Sequence, residues 1–196
     1  MIKIALIGED PNDTTAIQNL LIPRFGSVAQ FKAICENLKG YQLESAKFFK
    51  QVGIETNGGK FDLVLCIRDL DAFKSETRKV NERLKWYQKV RQSATSCKTI
   101  LLLNIWELEA MLFADLELFN RKYGTSLSYT KDPTSIKDPK EKLKSETRKA
   151  KRKYVESDCR DLFCELDFNK VLSRCSFFRE FILDLQSKHT SLQKLN

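Results

Sequence analysis

The stretch Asp62-Leu63-Val64-Leu65-Cys66-Ile67-Arg68-Asp69-Leu70-Asp71 decides the fold. Residues 62–67 form a nearly continuous apolar run, the pattern of a strand buried on both faces of a parallel sheet. The turn Asn57-Gly58-Gly59 leads into it and two acids close it. Toward the N-terminus, residues 2–7 (IKIALI) are a second such run, ending at Gly8. Asn12 or Asp13 follows as a helix cap, with a helical pattern through Leu21. Residues 28–34 read as a further strand, and residues 43–53 set Leu43, Ala46, Phe49 and Val52 at helical spacing. Toward the C-terminus, a charged helix covers about residues 74–93 and residues 99–103 (TILLL) are another buried strand. A helix follows at once, with Leu108, Met111, Leu112, Leu116 and Phe119 on one face and Gly124 at its end. Strands alternating with helices predict an α/β fold: right-handed crossovers and a mostly parallel central sheet of about four strands. Residues 125–139 are polar and proline-bearing, a loop, and the remainder is helical. The predicted organisation is therefore an α/β domain over residues 1–124, with a basic, mainly helical extension over 125–196 packed on it.

With 196 residues, 42% hydrophobic and 31% charged, the chain has the balance of an ordinary globular protein. Its longest apolar runs are far shorter than the roughly 20 residues of a membrane helix, and residues 1–7 lack a secretory pattern, so a cytoplasmic protein with no membrane partner is expected. Six scattered cysteines without CxxC spacing argue against zinc and against a disulfide scaffold. The single histidine, His189, lies in a polar tail, which makes histidine acid/base chemistry and a Ser-His-Asp arrangement poor candidates. Chemistry must then come from carboxylates, lysines or a metal. The net charge of +8 points to a polyanionic partner such as nucleic acid.

In a parallel α/β sheet, functional groups gather beyond the carboxyl ends of the strands. Glu9 follows the first strand, Asp69 and Asp71 the strand at 62–67, and Glu107 and Glu109 the strand at 99–103. Carboxylates held together repel unless a cation neutralises them, and hard oxygen ligands suit one or two Mg²⁺ or Mn²⁺ ions. If the Asp69-Leu70-Asp71 segment is extended, both carboxylates share one side, while Glu9 and Asp13 lie a helical turn apart. Divalent ions at such a place polarise a phosphodiester and activate water.

The segment Glu9-Asp10-Pro11-Asn12-Asp13, the pair in Asp69-Leu70-Asp71 and the opening Glu107-Leu108-Glu109-Ala110-Met111 resemble the acidic motifs of TOPRIM-like nucleases, including the OLD and RloB groups associated with phage defence. Asp138-Pro139-Lys140 and residues 175–181 (CSFFREF) are similar to the tail of a small TOPRIM-like family, so the resemblance covers most of the chain. It implies a Rossmann-like TOPRIM fold, with Glu9 as metal ligand or general base, Asp69 and Asp71 as ligands, and Asp13 and Glu109 at a second metal position. It also implies nuclease activity on DNA or RNA, tRNA included, as the effector of a defence system. A separate ATPase partner is implied as well, since the chain has no GxxxxGK[ST] loop; a homodimer stays open. The family pattern has glycine after the first glutamate; this chain has Asp10.

Plainer duties compete for each residue. Asp71 and Asp13 suit helix caps, and Glu107 and Glu109 stand in a helical first turn where acids complement the dipole. Those two point to opposite sides, so only one faces the site; the resemblance selects Glu109. Residues 137–153 carry nine Lys or Arg against three acids, and Lys140, Lys144, Arg148, Lys149, Lys151 and Arg152 are the candidate phosphate contacts, unless that helix is merely solvated and laced with ion pairs. Two alternatives to a nuclease remain: a nucleic-acid-binding module without catalysis, and a receiver-like phosphoacceptor domain. The second would want its acceptor near Ile67.

Overall fold

The computed structural model describes residues 1–36, 40–189 and Leu192. Its first half alternates strand and helix: β1 (Ile2–Ile7), α1 (Pro11–Phe25), β2 (Ala29–Ala33), α2 (Ala46–Thr56), β3 (Leu63–Asp69), α3 (Thr77–Ser93) and β4 (Lys98–Asn104). The four strands pair in parallel in the order β2-β1-β3-β4, with Ile4 opposite Phe31 on one side and Leu63 on the other. The chain thus winds outward from β1 to β2, then returns to build β3 and β4 on the opposite flank. That reversal puts the topological switch between β1 and β3, and an α/β sheet opens its crevice just beyond those carboxyl ends.

Side chains alternate between the two faces of each strand. Ile4, Leu6, Leu65 and Ile67 pack against α1 and the C-terminal helices. Ala5, Ile7, Val64 and Cys66 pack against Phe48 and Val52 of α2 and against Trp86 and Val90 of α3. The second half of the chain supplies α4 (Leu116–Tyr123), α5 (Pro139–Glu146), α6 (Cys159–Glu165), α7 (Phe168–Arg174) and α8 (Ser176–Lys188). Leu143, Tyr154, Phe163, Phe178 and Leu185 share one core with the strands, so the basic extension is built into the sheet's own hydrophobic layer.

The parallel four-stranded α/β expectation matches this architecture; several local expectations need correcting. The cap of α1 is Asp10, whose side chain accepts from the Asn12 amide, while Asp13 sits three residues on and completes a capping box from the Asp10 amide. The helix then runs past Leu21 through Pro23 to Phe25. The single helix expected after β4 is split into a 3₁₀ segment, Leu108–Ala114, and α4. Asp115 makes the break: its backbone leaves the helical region, and its carboxylate takes the Leu118 amide and the Lys170 ammonium. The basic segment is not one helix either, since α5 ends at Glu146 and a turn carries residues 147–153.

Gly8 joins β1 to α1 where the backbone passes close to the helix. A Cβ there would stand 2.8 Å from Thr14 Cγ2, a buried and β-branched side chain with little freedom to yield. Gly8→Ala is therefore expected to cost about 1–3 kcal/mol by overpacking. Urea denaturation measures it, and an unchanged midpoint would show that the turn relaxes freely.

Candidate functional site

Four carboxylates from three strand ends gather at the switch point. Glu9 leaves β1 and accepts the Asp69 amide at 3.3 Å, bridging the gap between β1 and β3. Asp13 comes from the first turn of α1, Asp69 is the last residue of β3, and Glu109 lies in the 3₁₀ segment after β4. Glu109 is buried, and its Oε1 accepts the Tyr154 hydroxyl at 3.2 Å. Of the two glutamates, Glu109 is the one that faces the other acids. Glu107 is turned to Lys140, taking its amide at 3.1 Å and standing 3.4 Å from its ammonium.

The cluster is electrostatically tense. Burial pushes the Asp13 carboxyl up to about 7, with the charges of Glu109 and Glu9 adding to the shift. Asp69 is raised well above the ordinary carboxylate range by burial and then by Asp13; the hydrogen bond from Asn104 Nδ2 at 2.8 Å opposes this. Burial also raises Glu109, against the nearby Lys140 ammonium. Lys140 in turn loses by its own burial but gains more from Glu109, Glu107 and Glu156, so it stays firmly protonated.

Asp71 stands apart from these four. The extended segment stops at Asp69; Asp71 has φ of 53°, an exposed side chain, and an ion pair with Arg83 at 2.9 Å. It does not cap α3 either, because Glu76 holds that position. Among the phosphate-contact candidates, Lys140 points into the acids, Lys144 pairs with Glu141 and Glu156 at 2.9 Å, and Arg152 pairs with Asp158 at 3.0 Å. Arg148, Lys149 and Lys151 lie exposed in the turn.

Three neighbours were not foreseen from the sequence. Arg68 is only 3% exposed; it lies 4.6 Å over the Trp86 ring, with its Nε 2.8 Å from Glu9 Oε1 but out of line for a hydrogen bond. Asn104 ends β4 fully buried, and its Oδ1 has no hydrogen-bond partner among the described residues. Tyr154 ties the far end of the basic turn to Glu109. A charge inside LVLCIRD and an amide closing TILLLN were the available signals, since neither belongs in an apolar strand without a partner.

Among the described residues, no three His, Cys, Asp or Glu side chains meet closely enough to form a ready-made cation cage. The donor chemistry nevertheless fits a hard divalent cation: carboxylates that burial and mutual repulsion keep abnormally protonated, beside an orphaned amide oxygen. Replacing the Tyr154 hydroxyl tests one support of this arrangement. Tyr154→Phe deprives Glu109 of its donor and is expected to lower stability by about 1 kcal/mol, read from the denaturation midpoint. No change would mean that water or Lys140 takes over.

A family model described as a domain of unknown function, DUF4276, matches residues 8–186. No curated protein and no solved structure matches the chain.

Proposed function

Since the chain belongs to the DUF4276 family, whose description assigns no chemistry, we propose from its own residues that it is a Mg²⁺- or Mn²⁺-dependent nuclease of the TOPRIM type, hydrolysing phosphodiester bonds in DNA or RNA. The observation that carries this reading is the convergence of Glu9, Asp13, Asp69 and Glu109 at the switch point, with Asp13 and Asp69 held far from their ordinary acidity. Buried like charges are costly in a fold and persist where they serve a ligand of opposite sign. Glu9, Asp13, Asp69 and Glu109, joined by Asn104 Oδ1, would hold the metal, which when bound would polarise the phosphodiester and acidify a water.

The chain's own residues do the remaining work. Arg68, lying over Trp86, sets its Nε 2.8 Å from Glu9 Oε1 and so holds in place a part-exposed carboxylate that would serve either as a metal ligand or as the acceptor of a proton from water. Lys140 sets a permanent positive charge beside Glu109 and Glu107, where it can offset negative charge gathering on a phosphate. A receiver-like reading has less support, because Ile67, where its acceptor would stand, is an apolar side chain buried in the core.

Purified protein incubated with plasmid, single-stranded DNA and bulk tRNA, in Mg²⁺, Mn²⁺ or chelator, tests the proposal. Cleavage that needs the metal supports it. Failure to cleave any of them, both alone and when co-expressed with a separate ATPase, would leave a nucleic-acid-binding module as the better reading.

A further inference from the structure

The acidic cluster sits at the end of the sheet, between two basic surfaces that lie on opposite faces of it. On one face is the turn at 147–153, anchored to the cluster by Tyr154 and exposing Arg148, Lys149, Lys151 and Lys153. On the other face is α3, whose Trp86 and Val90 pack beneath β1 and β3. This helix carries Arg78, Lys79, Arg83, Lys85, Lys89 and Arg91 against a single acid, Glu82. Its N-terminal half reaches the site directly: Arg83 Nε donates to the Asp69 carbonyl at 2.8 Å and Lys79 Nζ to the Asp71 carbonyl at 2.6 Å. Beyond those two, Arg78, Lys85 and Lys89 fall at helical spacing on one exposed face. Glu82 lies 3.8 Å from Arg78 across an exposed pair and offsets one charge; Lys89 rests 5.6 Å over the Phe49 ring of α2. So uneven a helix is not the balanced, ion-paired surface of a merely solvated one.

We propose that the outer face of α3 is a phosphate-contacting surface which, together with the 148–153 turn, seats the two backbones of a nucleic-acid duplex across the acidic cluster. Two cationic banks with the reacting groups between them complement two phosphate strands, whereas a single strand needs only one continuous track. This rests on reading the cluster as a nuclease site, and it specifies the form of the substrate. Asp71 has a part in it: by engaging Arg83 it keeps that guanidinium against the site and leaves Lys85 and Lys89 as the outlying cations.

The test is binding without turnover. Fluorescence anisotropy in chelator compares a blunt DNA duplex, an RNA duplex of the same sequence and the DNA single strand. The proteins are wild type, the triple variant Arg78→Gln, Lys85→Gln, Lys89→Gln, and the triple variant Arg148→Gln, Lys149→Gln, Lys151→Gln. Each variant is expected to weaken duplex binding by about tenfold or more and to reduce the slope of log affinity against log salt by roughly 2–3, at about 0.9 for each phosphate no longer neutralised. Single-strand binding is expected to be weaker in wild type and to respond less to the α3 set. The RNA and DNA arms decide which duplex is preferred. Arg78→Lys with Lys85→Arg and Lys89→Arg should retain affinity, and unchanged thermal melting of each variant guards against unfolding. Duplex affinity and salt slope unaltered by the α3 set overturn the proposal, as does absence of nucleic-acid binding at low salt. A protein that cleaves with metal but ignores the α3 set refutes this surface alone. One that binds through α3 but never cleaves refutes the nuclease reading and leaves the surface standing.

Discussion

Asp69→Asn is expected to lower metal-dependent cleavage by about a thousandfold while raising the melting temperature of the metal-free protein. Both effects come from one side chain. The carboxylate is the group most enclosed by the other acids, so its negative charge is what a divalent cation would most need and what the folded protein least tolerates alone. Asparagine keeps the shape, and its Oδ1 can still accept from Asn104 Nδ2. Activity and stability should therefore move in opposite directions, a signature that a merely structural acid would not give. Asp71→Asn makes the contrast. Its partner Arg83 is reached at the surface, where such pairs contribute about 1 kcal/mol or less, and cleavage should fall by less than about tenfold. Initial rates on whichever substrate is cut, beside calorimetry in chelator, measure all of this. If Asp69→Asn is both active and no more stable, the acids are not a metal site.

The second large effect is on stability against pH. Asp13 is lifted from 3.8 to about 7, so the fold favours its protonated form. That contribution is complete below about pH 4 and is lost as pH rises through 7, where the charge must exist in a confined space beside Glu109 and Glu9. Metal-free protein should thus melt several degrees lower at pH 8 than at pH 5. At about 1.4 kcal/mol per unit, the roughly two units between pH 5 and the raised value near 7 set an upper bound of about 3 kcal/mol, reduced because Asp13 keeps some contact with solvent. Asp13→Asn preserves the capping acceptor for the Asp10 amide and should flatten the slope. Millimolar Mg²⁺ or Mn²⁺ should do the same at pH 8 and nothing at pH 5. A wild-type melting temperature that stays level or climbs from pH 5 to 8 would contradict the shift.

The fold was legible because buried parallel strands advertise themselves. DLVLCI and TILLL are apolar after their first residue, IKIALI is broken only by Lys3, and the turns between them bear Gly, Asn and Asp. Placing an acid after each strand followed from topology, and Glu9, Asp13, Asp69 and Glu109 do share one neighbourhood. What the sequence hid was direction. Asp71 is two residues from Asp69, but a left-handed backbone turns it outward to Arg83, and no spacing rule encodes that φ. Lys140 reads as one more cation in a basic run, and only the packing of α5 beside Glu107 brings it among the acids. The cap of α1 lies at Asp10, two residues before Asn12 and three before Asp13, for a similar reason. Asp10 and Asp13 are both good caps, and Pro11, suited to the first helical position, settles which one serves.

The strand order also governs how the protein is born. β1 cannot take its neighbour β3 until some sixty further residues have been made, and Glu109 is not fastened until Tyr154 follows. Pairings this remote form slowly and late. A nascent chain leaving the ribosome therefore carries its acids unassembled, and whatever reaction they support begins only once the C-terminal third has docked.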